Sequence, residues 1–137
     1  MNVEVNFIAL IVAAVASMVI GMAWYSQALF GSSWAKAAGL SSEALAKIKR
    51  KGMGRTLITA LVASIVMGYV LVAGIALTGA NSFAAGAELG FWVWLGFIAT
   101  TSLGIVLWEG KPWKLWIINN SYQLISVAVM GGILASW

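Results

Sequence analysis

The stretch "FIALIVAAVASMVIGMAWYSQALF", residues 7–30, contains 24 consecutive residues without a charged side chain. An α-helix needs about 20 apolar residues to cross the hydrocarbon core of a bilayer. Three further apolar stretches follow, and together the four predict membrane helices at about residues 7–30, 57–77, 89–108 and 113–135. None alternates polar and apolar residues as the strands of a membrane barrel do. The sequence therefore predicts an all-α integral membrane protein with four transmembrane helices.

The composition agrees with this prediction. Of the 137 residues, 62% are hydrophobic and only 9% are charged, whereas soluble domains carry about 25% charge. The length indicates a single domain over residues 1–137. No basic residue precedes residue 7, so the first stretch is expected to remain as a membrane helix rather than act as a signal peptide. The lack of cysteine and histidine excludes disulfides and removes the commonest metal ligand.

The basic residues predict the orientation. All eight lysines and arginines lie within residues 36–55 and 111–114, in the loops after the first and third helices. The positive-inside rule places both loops in the cytoplasm and both termini outside. Helices 1 and 2, like helices 3 and 4, are then expected to form antiparallel hairpins in the cytoplasmic membrane. This asymmetry explains the net charge of +4 without a nucleic-acid partner.

The basic loop, residues 31–55, is the longest segment outside the predicted membrane helices. Ser41 or Ser42 is suited to cap a short helix, and Leu45 and Ile48 then lie on one side of it. We expect this amphipathic helix to lie on the cytoplasmic membrane surface. Its basic residues would contact anionic lipid headgroups; they are Lys47, Lys49, Arg50 and Lys51. Simple topological anchoring and a lipid-regulated switch are both compatible with this pattern.

Two stretches resemble the signature stretches of a bacterial membrane-protein family called domain of unknown function 1761. They are "WYSQALFGSSW" (residues 24–34) and "EGKPWKLWIINNSY" (residues 109–122). The resemblance implies four helices in the bacterial inner membrane, no established activity and no catalytic residues. One departure is Gln27, where the family usually has proline, so helix 1 is expected to run a turn longer here. The signature residues at the cytoplasmic ends are Trp24, Tyr25, Ser26, Gly31, Trp34, Trp108, Glu109, Gly110, Pro112 and Trp113.

A polar stripe crosses the fourth helix. At 100° per residue, Asn119, Tyr122, Gln123 and Ser126 share one face, whereas Asn120 and Ser121 lie off it. An unpaired amide in hydrocarbon costs about 2–7 kcal/mol, so the stripe is expected to face protein or water. Hydroxyls at matching depth on the other helices are possible partners; they are Ser17, Ser64, Thr100, Thr101 and Ser102. The stripe either holds the helices together through hydrogen bonds or lines a polar route or ligand site.

Small residues recur every four positions on all four helices, for example Ala9, Ala13, Ser17 and Gly21 on helix 1 and Gly96, Thr100 and Gly104 on helix 3. Such spacing allows close helix approach in lipid. These stripes exceed what one four-helix bundle must bury, so a homo-oligomer is expected, with a dimer favoured.

Two function classes follow from these patterns. The first is a transporter or channel subunit for a small neutral or polar solute, which would pass along the polar stripe. The alternative is a structural or accessory membrane protein without ligand or transport. An enzyme is not expected, because the four carboxylates, Glu4, Glu43, Glu88 and Glu109, are not paired for acid–base chemistry. No motif for a cofactor or a metal appears.

Overall fold

The structure is a computed structural model that describes residues 3–137; residues 1 and 2 of the predicted domain lie outside the described part. The described residues form helices and turns and contain no strand. The helices are α1 Phe7–Trp24, α2 Gly31–Ala38, α3 Ser42–Arg50, α4 Met53–Thr78, α5 Phe83–Leu107 and α6 Trp113–Ser136. Four of them, α1, α4, α5 and α6, are long and apolar enough to cross a membrane, which confirms the predicted all-α class.

Helix α1 ends at Trp24, six residues before its predicted end. The chain then turns, and the backbone N–H of Gly31 donates to the Ser26 carbonyl at 2.9 Å. The Ser26 hydroxyl donates to the carbonyl of Ala23 at 2.7 Å and so caps the last turn of α1. A Cβ at Gly31 would collide with the backbone of Tyr25 and Ser26. The turn therefore forms without proline, and the expected extension of helix 1 through Gln27 does not occur.

The basic loop contains two short helices, α2 and α3, whereas its sequence predicts one. Gly39 separates them, because its φ of 74° is a left-handed conformation that ends α2 and that glycine adopts without strain. Helix α3 begins as predicted, with the Ser41 hydroxyl accepting from the backbone N–H of Ala44 at 3.1 Å. The side chain of Lys111, in the turn between α5 and α6, donates to the carbonyl of Ala38. This contact joins α2 to the second basic loop.

Helix α6 is the centre of the bundle and packs against α1, α4 and α5. Val127 and Met130 of α6 are completely buried, together with Ala13 of α1 and Leu71 of α4. By contrast, every residue from 53 to 60 at the start of α4 is exposed. In a membrane protein such residues face lipid, headgroups or another chain. Helix α6 is the most buried of the four membrane helices.

Glycines set the distance between α5 and α6. A Cβ added to Gly86 would overlap the carbonyl oxygen of Gly131, and a Cβ on Gly90 would lie 2.6 Å from the carbonyl oxygen of Val127. The predicted small-residue stripe of this helix takes no part in the contact, since a Cβ at Gly96 would meet no atom within 4 Å. The π-helical segment Trp94–Ala99 begins after Gly90 and includes Gly96. Its wider turns change the face that α5 presents to α6.

Candidate functional site

The polar side chains of α6 form the candidate site, and the first group of them faces α1. The hydroxyls of Ser17 and Ser126 are 2.6 Å apart, and both residues are almost fully buried. The Tyr122 hydroxyl donates to the backbone carbonyl of Ser17 at 3.4 Å. The ring of Tyr122 also fills the space above Gly21. These contacts place two of the four stripe residues in the α1–α6 interface.

A third stripe residue, Asn119, is bonded at the end of α1. Its Oδ1 accepts from the hydroxyl of Tyr25 at 2.8 Å, so its partner is a tyrosine rather than the expected serine or threonine. Burial raises the pKa of Tyr25 to about 12, with a further contribution from Tyr122. The Tyr25 hydroxyl is the donor in the bond to Asn119. Its ring meets Tyr122 and Trp34 edge-on, with centroids 5.4 Å and 5.5 Å away.

A second polar cluster faces α5 and centres on Asn120, which is 3% exposed. Its Oδ1 accepts from the hydroxyl of Ser102 at 3.1 Å, and its Nδ2 donates to the carbonyl of Trp116 at 3.1 Å. The Trp116 indole N–H in turn donates to the Ser102 hydroxyl at 3.0 Å. The Trp94 indole donates to the backbone carbonyl of Asn120 at 3.0 Å. The amide is thus bonded at both its oxygen and its nitrogen.

The remaining stripe candidates do not join either cluster. Gln123 is half-buried, and its side chain has no hydrogen-bond partner among residues 3–137. Ser64 is buried on α4 without a bond to α6. Thr100 and Thr101 are exposed on α5. Their hydroxyls donate to the carbonyls of Gly96 and Phe97 in their own helix. Such local bonds satisfy a hydroxyl that faces lipid, which explains why neither threonine needs a partner on α6.

The two signature stretches meet each other in the bundle. Trp24 donates from its indole to the carbonyl of Ile118 at 3.0 Å, one residue before the Tyr25–Asn119 contact. Gly110 adopts a φ of 68° in the turn between α5 and α6, and Pro112 precedes the first residue of α6. Other signature residues lie at the surface; they are Trp108, Glu109 and Trp113. The four basic residues of the α3 region, Lys47, Lys49, Arg50 and Lys51, are also exposed.

Cavities provide little support for a polar route. No residue of the α6 stripe lines any of five cavities found in the described part of the chain. Within residues 3–137 no group of three or more metal-ligating side chains occurs. The arrangement can hold helices together through neutral hydrogen bonds, since no carboxylate or basic side chain belongs to either cluster.

The sequence did not predict the roles of Asn120 and of three tryptophans, Trp24, Trp94 and Trp116, which act as donors inside the bundle. The helical wheel placed Asn120 off the stripe, and only residues on the stripe were assigned partners. The tryptophans could have been identified from the sequence as hydrogen-bond donors, because a buried indole N–H requires an acceptor. Three tryptophans near an apolar helix rich in asparagine and serine indicate possible donors as well as interfacial anchors.

Comparison with known families gives one match. A family model described as "Protein of unknown function (DUF1761)" matches residues 8–135. No match is found among curated proteins or among solved structures.

Proposed function

We propose that this chain, which belongs to the DUF1761 family of proteins of unknown function, is a structural or accessory membrane protein built around α6. One observation carries the proposal. The polar side chains of α6 are bonded to α1 through Ser126 and Asn119, and to α5 through Asn120. Interhelical hydrogen bonds in lipid stabilise a bundle by about 0.6–2 kcal/mol each.

A solute route along α6 has less support. A route needs polar groups that can exchange their partners for solute or water, whereas Ser126 and Asn120 are buried and bonded. Among the stripe residues of the described chain, Gln123 and the amide nitrogen of Asn119 keep free hydrogen-bonding groups. Gln123 is half-buried, and neither residue lines one of the five cavities described above, so these groups give a solute route little support.

The proposed topology is two antiparallel hairpins, with both basic loops in the cytoplasm and both termini outside. The order of the contacts supports it: Gly86 meets Gly131, and Ser102 meets Trp116 and Asn120. Later residues of α5 thus meet earlier residues of α6. The same order holds for α1 and α6, where Ser17 meets Ser126 and Trp24 meets Ile118. By the positive-inside rule, the membrane side on which the basic loops lie is the cytoplasmic side.

A homodimer is the proposed assembly. The open face of α5 around Gly96 and Thr100 is exposed, and a Cβ at Gly96 would have free space around it. Small residues on an open face allow a second copy to approach closely. Gly96→Leu should therefore weaken the dimer. Gly54→Leu is the control and should leave the dimer intact, because Gly54 also has free space around an added Cβ but lies at the start of α4. Native mass spectrometry in mild detergent measures both.

The exposed basic residues of the α3 region are proposed to contact anionic lipid headgroups. Each lysine or arginine near an anionic surface contributes about 1 kcal/mol of attraction. This contact would hold α3 against the cytoplasmic surface and support the same topology.

The function is tested by solute flux. The purified chain is reconstituted into liposomes, and the swelling rate in glycerol or urea is compared with that of protein-free liposomes. We expect equal rates, because the buried polar groups of α6, on Ser126 and Asn120, are bonded to neighbouring helices. Faster swelling that is abolished by Gln123→Leu, but not by Thr100→Val on the exposed face of α5, would contradict the structural proposal and favour a polar route.

A further inference from the structure

A cavity outside the α6 stripe lies between the turn after α1, helix α2 and the start of α3. Its volume is about 390 Å³, within the range of about 300–1,000 Å³ that is typical of small-molecule sites. Three separate segments contribute to it, so its polar side chains converge from different directions. They are Gln27, Ser32, Lys36, Ser41 and Ser42.

The hydrogen bonds around this cavity leave mainly donors free. The Ser32 hydroxyl donates to Oε1 of Gln27 at 2.6 Å, and the Ser41 hydroxyl accepts from the N–H of Ala44 at 3.1 Å. The Gln27 amide therefore keeps its NH₂ group, and Ser41 keeps its O–H. Lys36 adds three donors and a positive charge. No carboxylate belongs to the lining, although Glu43 follows directly in the sequence.

We infer that this cavity binds the phosphate group of an anionic phospholipid. Phosphate oxygens are strong acceptors without donors of their own, which complements a lining rich in donors and carrying one cation. The location selects a lipid, because Gln27 lies three residues after the last residue of the membrane helix α1. The lining also includes Leu40 and Leu45, which provide an apolar wall for the glycerol and upper acyl region.

This site differs from the basic face of α3. Lys47, Lys49, Arg50 and Lys51 do not line the cavity and attract the membrane surface as a whole. A cavity holding a single phosphate predicts instead one saturable lipid per chain. Binding there depends on Lys36 and is independent of whether the bundle has a structural or a transport function.

The test counts bound lipids on the full chain by native mass spectrometry during titration with phosphatidylglycerol or with phosphatidylcholine. We expect one phosphatidylglycerol to bind in preference to phosphatidylcholine. Lys36→Gln should weaken this binding about fivefold, the effect of one cation near an anionic headgroup. Lys36→Arg should retain it. Lys114→Gln is the matched control, since Lys114 is an exposed lysine near a helix end and does not line the cavity.

Three results would overturn the inference. They are equal binding of the two lipids, equal weakening by Lys36→Gln and Lys114→Gln, and undiminished binding in Lys36→Gln. Inorganic phosphate is added in a separate arm to identify the source of the phosphate group. Displacement of phosphatidylglycerol by millimolar inorganic phosphate would overturn the assignment to a lipid, because a soluble phosphate would then be the preferred ligand. Phosphatidylglycerol binding that is unchanged by inorganic phosphate supports the lipid assignment.

Discussion

Replacing Gly86 or Gly90 by alanine should separate α5 from α6 and destabilise the bundle. The Cβ of Gly90→Ala would lie 2.6 Å from the carbonyl oxygen of Val127, while ordinary van der Waals contact begins at 3.4 Å. The two backbones must therefore part by roughly 0.8 Å, and overpacking of this kind typically costs about 1–3 kcal/mol. Gly86→Ala should cost at least as much, because its Cβ would overlap the backbone of Gly131 itself.

The same substitution at Gly96 is the control, since it lies on the same helix and has no atom within 4 Å of the added Cβ. In the monomeric chain, obtained at low protein concentration, Gly96→Ala should leave the free energy of unfolding unchanged or raise it by up to about 1 kcal/mol, through the higher helix propensity of alanine. Unfolding is measured by titration from mild detergent into sodium dodecyl sulfate, with fluorescence of the eight tryptophans as the signal. If Gly86→Ala and Gly96→Ala unfold at the same detergent fraction, the close α5–α6 contact is refuted.

Three further outcomes are expected. A double-mutant cycle of Ser17→Ala and Ser126→Ala should give a coupling energy of about 0.6–1.7 kcal/mol; strictly additive effects would mean that the two hydroxyls are not bonded. Asn120→Ala should lower the free energy of unfolding by about 1–3 kcal/mol, because Asn120 is buried and its amide is bonded at both oxygen and nitrogen. Asn119→Ala should lower it by less, and equal losses in the same titration would count against the α5 cluster. A phosphatase fused after Trp137 should be active outside the cytoplasm, while one inserted at Lys49 should be inactive, and the reverse pattern would overturn the proposed topology.

The four membrane helices could be predicted from the sequence because long uncharged stretches have few alternatives in a chain this apolar. Helix ends were less predictable. The end of α1 at Trp24 depends on the Ser26 cap and on the close backbone approach at Gly31, which hydrophobicity does not report. The boundary between α2 and α3 depends in the same way on the conformation of Gly39.

The candidate site was only partly predictable, for a geometrical reason. A helical wheel identifies residues that share one face, and it grouped Asn119, Tyr122 and Ser126 on the side that contacts α1. It could not show that α6 lies between two helices and presents a second polar face to α5, where Asn120 is buried. It also could not show that Thr100 bonds within its own helix, since depth alone made it a suitable partner.

The central claim is that the polar face of α6 is closed by protein rather than open to water, and cysteine accessibility tests it most directly. The natural chain has no cysteine, so single variants need no altered background. In membranes opened to both sides, Ser126→Cys should resist a small water-soluble thiol reagent, because Ser126 is 1% exposed. Asn81→Cys, at an exposed position of the loop between α4 and α5, should react readily. Labelling of Ser126→Cys at a rate comparable to that of Asn81→Cys would show water along α6 and contradict the account.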